Sequence, residues 1–252
     1  MWLENKEVVR IIRLDVGIPY FITTELQILE LSRTIKSIYD HVDRIHLIDG
    51  RFTEFPNKLD YSIPQCNEVI KTWFPKVEIT KVQATQLVKR QTYLDTSEAD
   101  YLLVMDSEDF IHPDHQDWIK FYQELEEVYN EPELLYFLWF WVDPKWIASA
   151  NPVCMETWQK YVRIHKHPSK IKYHMNHYTW RMKDDYKVDL TSLPAKKTLG
   201  GIKLTCDSQY RPKEFLEQKA EWEQTDFLKE QARAWVAFNK LEELTHIVFP
   251  KK

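Results

Sequence analysis

Glycine is scarce in this chain. Its 252 residues include only Gly17, Gly50, Gly200 and Gly201, where average usage near 7% would give about 18. No Gly-x-Gly-x-x-Gly and no Gly-x-x-x-x-Gly-Lys-Ser/Thr can be assembled from these four. Both cradles need glycine so that backbone approaches phosphate without an intervening Cβ. Any nucleotide must therefore be held by side chains, a metal ion or ordinary loop amides. Cysteine is sparse too: Cys66, Cys154 and Cys206 are far apart and odd in number. That excludes a disulfide framework and a Cys-x-x-Cys knuckle, and suits a reducing compartment. The opening MWLENKEVVR lacks the apolar core of a signal peptide. The longest apolar run, Leu134 to Val142, has nine residues, about half of what a spanning helix needs. A cytoplasmic protein, free or peripheral at the inner membrane face, is expected. Charge of one sign is also lacking: 34 basic and 39 acidic residues are interspersed for a net −5, which argues against a nucleic-acid binder.

Aromatic residues are plentiful, with 10 Trp, 13 Tyr and 12 Phe. Most serve to fill a core, and the remainder are the usual platforms for sugar rings and bases. The length suits one large or two small domains.

The first hundred residues alternate between two periodicities. Val8 to Leu14 is a β-branched run that predicts a buried strand, with Gly17 and Pro19 marking its end. Thr24-Glu25-Leu26-Gln27 fits a capping box, and Ile28, Leu31, Ile35, Ile38 and Val42 then share one helical face. Arg44–Asp49 is the next strand, closed by Gly50. A loop and short helix (51–74) lead to a strand at Val77–Thr80, a helix from Gln83 to Ser97, and a strand from Asp100 to Met105. This alternation predicts an α/β fold with a mostly parallel central sheet flanked by helices. In such sheets ligands bind beyond the carboxyl ends of strands, where Asp49 and Asp106 fall. Farther along, the spacing predicts a helix near 114–129, a strand at 134–142, and strands at Gln159–His165 and Lys170–Trp180. Loop signals crowd 183–201. From Arg211 to Leu244, charged residues interleave with Phe215, Trp222, Leu228, Trp235 and Leu241 as one or two helices, suited to packing or dimerisation.

Asp106-Ser107-Glu108-Asp109 places three carboxylates within four residues of a strand end. They repel one another unless a cation sits among them. Mg²⁺ or Mn²⁺, sharing one or two carboxylates with a substrate diphosphate, is the natural partner. A helix N-cap cluster is the simpler alternative.

Three stretches, DHVDRIHLIDGRFTEF (40–55), VKRQTYLDTSEADYLLVMDSEDF (88–110) and YVRIHKHPSKIKYHMNH (161–177), resemble, in order and spacing, segments of the family 2 glycosyltransferases of GT-A fold. The resemblance spans roughly residues 10–180. It implies a GT-A-like (Rossmann-like) catalytic domain over 1–205, with a helical C-terminal extension over 206–252 packed on it. The activity implied is metal-dependent transfer of a sugar from a nucleotide-diphosphate donor, UDP- or GDP-linked, to a glycan, lipid-linked or protein acceptor. Carried over by position, Asp49 meets the nucleobase, Lys89 and Arg90 the base or diphosphate, and Asp106 the ribose or metal. Glu108 stands where the family has its second metal-binding Asp, with Asp109 as the competing ligand. Gln91 replaces the family's usual Asn. His177 completes the metal shell, with His174 as competitor, and Met175 stands where the family has glycine.

An inverting transfer needs a carboxylate to deprotonate the acceptor hydroxyl. It should follow the metal motif, and Asp143 and Glu156 are the candidates, with Asp184 and Asp185 behind them. Trp139, Trp141 and Trp146 are candidate sugar platforms. Two other readings stand beside this one: a sugar-phosphate nucleotidyltransferase, which the poverty in glycine disfavours, and a non-catalytic relative that binds a glycan or protein. A homodimer through the C-terminal helices is a further expectation.

Overall fold

The computed structural model describes residues 11–53, 57–141, 158–192 and 197–206. Asp143, Glu156, Trp146 and nearly all of the C-terminal extension, with its proposed role in dimerisation, lie outside the described residues. So does the side chain of His177.

Among the described residues, ten strands and four α-helices follow in order as β1 (Leu14–Tyr20), α1 (Glu25–Lys36), β2 (Arg44–Asp49), α2 (Pro64–Trp73), β3 (Val77–Lys81), α3 (Gln86–Thr96), β4 (Tyr101–Val104), β5 (Asp109–Gln116), α4 (Trp118–Glu127), β6 (Leu135–Trp141), β7 (Trp158–Lys166), β8 (Ile171–His174), β9 (Asn176–Met182) and β10 (Thr198–Cys206). Eight strands make one sheet in the order β3-β2-β1-β4-β7-β6-β10-β5, and β8 pairs with β9 in a separate hairpin. β1 pairs in parallel with β2 and β4, β2 with β3, and β10 with β6, while β7 and β5 run against their neighbours. The sheet is mostly parallel, as expected.

Side chains alternate between two layers. Tyr101, Leu103 and Met105 join the core formed with α1, α2 and α4, and Leu102 and Val104 join the one formed with α3 and the β8–β9 hairpin. The capping box of Thr24 and Gln27 is formed. Ile28, Leu31, Ile35, Ile38 and Val42 are all buried, although the helix itself ends at Lys36.

The first strand lies later than the β-branched run suggests, and passes through Gly17 and Pro19. Met105 N–H donates to the Gly17 carbonyl and Gly50 N–H to the Tyr20 carbonyl, so odd residues of β1 face β4 and even ones face β2. Pro19 faces the side where β4 has already ended, so its missing N–H breaks no ladder. Gly17 is required because a Cβ there would sit 2.5 Å from the Tyr93 ring of α3.

Three further elements depart from expectation. β5 occupies residues where polarity and Pro113 hide a strand; it is the last strand of the sheet, and an edge tolerates both. β10 crosses Gly200-Gly201, which reads as a loop. A Cβ on Gly201 would lie 2.4 Å from the Phe121 backbone, so glycine here lets α4 rest on the sheet. The stretch expected as one strand over 170–180 is folded into the β8–β9 hairpin, with Met175 at its turn in a left-handed conformation (φ 58°).

Candidate functional site

The strand order 3-2-1-4 reverses direction between β1 and β4, and in open α/β sheets such a switch point opens a crevice beyond the strand ends. The acidic motif sits at that crevice. Asp109 N–H donates to the Asp106 carbonyl at 3.0 Å, and the Asp109 carboxylate accepts the Asp106 N–H at 2.8 Å. The motif is thus a tight turn from β4 into β5, closed by its own last residue. α1 braces it from below: Thr34 Oγ1 donates to the Ser107 carbonyl at 2.9 Å, and Ser37 Oγ accepts the Ile111 N–H at 3.2 Å.

The three carboxylates have different surroundings. Asp109 is 1% exposed. Burial pushes its carboxyl up to about 7, while Arg163, 3.3 Å away, pulls the other way. The Asp106 side chain is 30% exposed and lies between two guanidinium groups. Arg90 donates to its Oδ1, and Arg163 to its Oδ2 at 3.3 and 3.4 Å. Glu108 is half-buried and accepts from Ser107 Oγ at 3.1 Å.

Arg90 comes from α3 and is almost entirely buried. Burial opposes its charge, but Asp106 together with Tyr93 and Tyr173 outweighs that and holds the guanidinium protonated. Its Nη1 reaches the Tyr93 hydroxyl at 3.5 Å, which is 3.1 Å from the Tyr173 hydroxyl of the hairpin. Arg163 is the residue that sequence reasoning passed over. In the β6–β7 ladder Tyr136 pairs with Ile164 but Phe137 with Val162. Arg163 is therefore the extra residue of a β-bulge, a device that re-aims a side chain. It lies over the Phe140 ring at 5.1 Å and faces Asp106 and Asp109. It lies inside the 161–177 stretch that carries the resemblance, but a single sequence does not announce the bulge that aims it.

Asp49 and Lys89 form a second, deeper group. Asp49 is fully buried, its oxygens accepting from Ser62 N–H at 3.0 Å and from Asn67 Nδ2 at 2.9 Å. It anchors the loop and α2 to the end of β2. Lys89 is also fully buried; its ammonium donates to the carbonyls of Tyr20 (2.8 Å) and Gly50 and lies 4.4 Å from the Phe52 ring centre. Burial lowers its pKa to about 7, against the pull of Asp49. The lysine ties together the ends of β1 and β2. Gly50, at φ 143°, turns the chain out of β2, where a Cβ would meet the Val82 carbonyl at 2.3 Å.

The histidines scatter. His165 is fully buried beside Tyr173 and Trp180, and burial lowers its pKa to about 3. His167 turns the chain before Pro168 and meets Tyr129 edge-on. His174 bonds to the Tyr186 hydroxyl. Gln91, in place of the family's Asn, reaches the hairpin: it accepts the Tyr173 N–H at 3.0 Å and donates to the Ile171 carbonyl at 3.2 Å. Asp184 and Asp185 lie on the exposed turn after β9. Arg90, Asp106, Glu108 and Asp109 are thus brought together, with Asp49 and Lys89 beneath. Among the described residues, no three His, Cys, Asp or Glu side chains gather into a metal cage.

No protein-family profile matches the chain, and no curated protein matches it in sequence. Among solved structures it is similar to S. aureus TarS 1-349, with 10% identity and a TM-score of 0.45, over 95% of this chain and 76% of that one. A second S. aureus TarS structure matches with 10% identity and a TM-score of 0.44, over 94% of this chain and 44% of that one. No helix among the described residues is long and apolar enough to cross a membrane.

Proposed function

We propose that the chain is a glycosyltransferase that takes its sugar from a nucleotide-diphosphate donor. The observation that supports this best is the solvent-facing Asp106 between Arg90 and Arg163 at the β1/β4 switch point. A diphosphate leaving group needs positive charge beside it, and the two guanidinium groups supply that charge without any glycine cradle. Asp49 and Lys89 in this reading shape the floor of the nucleotide pocket, since their polar atoms are engaged with protein groups.

A divalent ion fits the donor set in one form. Asp109 is committed inside the turn, which leaves Asp106 and Glu108 as the carboxylates that would hold Mn²⁺ or Mg²⁺. One or two carboxylates suffice when substrate phosphates complete the shell. When bound, the ion would neutralise the developing diphosphate charge. His177 remains the protein's candidate for a third ligand, and Asp143 or Glu156, in the segment joining β6 to β7, the candidate base for an inverting transfer. A screen of UDP-, GDP- and dTDP-sugars by thermal shift, with and without Mn²⁺, tests the proposal. One nucleotide raising the melting temperature is the expected result; a flat response to the whole panel would overturn it.

A further inference from the structure

The half of the sheet beyond β4 carries an aromatic and basic face that the donor site does not use. Along β6, Leu138 and Phe140 are buried under α4, whereas Trp139 and Trp141 point to the opposite face and are half-buried. Trp141 lies directly across from Trp158 of β7, and Trp139 from Lys160. On the other side Trp139 pairs with Lys203 of β10. The Lys160 ammonium sits 4.6 Å from the Trp139 ring centre, and that of Lys203 sits 4.9 Å from Trp158. Three indoles and two lysines thus occupy adjacent positions on three strands.

Among the described residues neither Lys160 nor Lys203 forms an ion pair with a carboxylate. A cation–π contact at a partly exposed site is weak, so an anion arriving from solvent can draw the ammonium away. Indole rings offer broad apolar surface with a polar edge, the surface on which sugar rings pack. Aromatic surface plus uncompensated ammonium groups is complementary to a sugar chain that bears negative charge. A neutral glycan would leave both lysines unused, and a purely apolar partner would have to desolvate them.

Position supports the same occupant. Trp141 and Trp158 lie at the end of the sheet where β4 delivers Asp106, and β6 is the second strand from β4. With strands about 4.8 Å apart, the platform begins on β7, roughly 5 Å to the side of β4, and reaches β6 at roughly 10 Å, a span that one or two sugar rings cover.

We propose that this face binds an acidic oligosaccharide, and that it is the acceptor subsite. The acceptor assignment rests on the glycosyltransferase reading; the binding does not. Two titrations of the full chain separate them. Oligogalacturonate, with a carboxylate on every ring, and neutral maltotetraose are titrated without donor, following tryptophan fluorescence. The donor panel is run separately by thermal shift. Oligogalacturonate is expected to bind with a Kd on the order of 1 mM or tighter, at least about tenfold better than maltotetraose, and more weakly as salt rises. The double variant Lys160→Gln/Lys203→Gln touches only partly exposed side chains. It should fold as the native chain does and lose about tenfold in affinity for the acidic oligomer. Equal binding of both sugars, no binding of either, or an unchanged double variant would overturn the platform. Acidic-sugar binding with no response to any donor would leave the platform standing and remove its acceptor role.

Discussion

Gly50 shows how much one residue decides here. Its φ of 143° is open to glycine and strained for any other residue, and a Cβ would collide with the Val82 backbone. Its carbonyl also receives the buried Lys89 ammonium. Gly50→Ala is expected to lower stability by about 2 kcal/mol or more, read as a fall in the urea midpoint. The scarcity of glycine made this position legible in the sequence, directly after Asp49. His165 was not legible in the same way. A strand histidine can be a surface, core or ligand residue, and sequence alone does not separate these; here the ring is sealed between Tyr173 and Trp180 and held neutral. Its folded pKa, lowered to about 3, lies below the ordinary 6.5. As pH falls through that window the unfolded chain takes up a proton that the folded chain refuses. Stability is then lost at up to about 1.4 kcal/mol per pH unit. Asp109 acts in the opposite direction, since its raised carboxyl gains a proton in the folded chain first. Comparing His165→Phe with the native chain cancels the Asp109 contribution. The variant should lose less stability than the native chain between pH 6.5 and 4.5 in urea titrations; equal losses would contradict the assignment.

Among the elements, the first half of the chain reads well because each strand is apolar and each helix amphipathic. β2 has the bounds that its hydrophobic run and Gly50 suggest, and β3 and β4 differ only at their ends. The elements that escaped are those whose local composition opposes their state. β5 is polar and carries proline because it is an edge. β10 carries two glycines because α4 lies against it, and β1 carries glycine and proline because α3 and the end of β4 allow them. The β8–β9 turn is the clearest conflict. Met175 occupies a left-handed turn with its side chain 78% exposed, where the resembled family has glycine. A left-handed non-glycine residue costs about 1–2 kcal/mol, of which glycine's greater unfolded freedom gives back about 0.5–1 kcal/mol. Met175→Gly should therefore raise stability by roughly 0.5–1 kcal/mol, visible as a higher melting temperature. A drop would mean that Met175 makes a contact that outweighs its strain. The same hairpin is fastened to α3 by Gln91.

At the scale of the molecule, the parallel half of the sheet builds one site and the mixed half builds another surface. The switch point between β1 and β4 brings Arg90 of α3, the turn after β4 and the bulged Arg163 of β7 to a single crevice. The carboxylates could be named from sequence because strand ends and acidic clusters are local features, and Arg90 through the resemblance of the 88–110 stretch. Arg163 could not, because its aim depends on a register shift between β6 and β7. The aromatic face of β6, β7 and β10 was legible only as a run of tryptophans; cross-strand pairing is what adds the two lysines. The central claim is that this crevice handles a nucleotide-linked sugar. The most direct measurement is release of nucleoside diphosphate from a UDP-, GDP- and dTDP-sugar panel with Mn²⁺, native chain against Asp106→Asn. Slow release from one donor is expected even without acceptor, with a loss on the order of a hundredfold in the variant, the scale of losing one positioned electrostatic group. Release that is unchanged by Asp106→Asn, or absent with every donor, would contradict it.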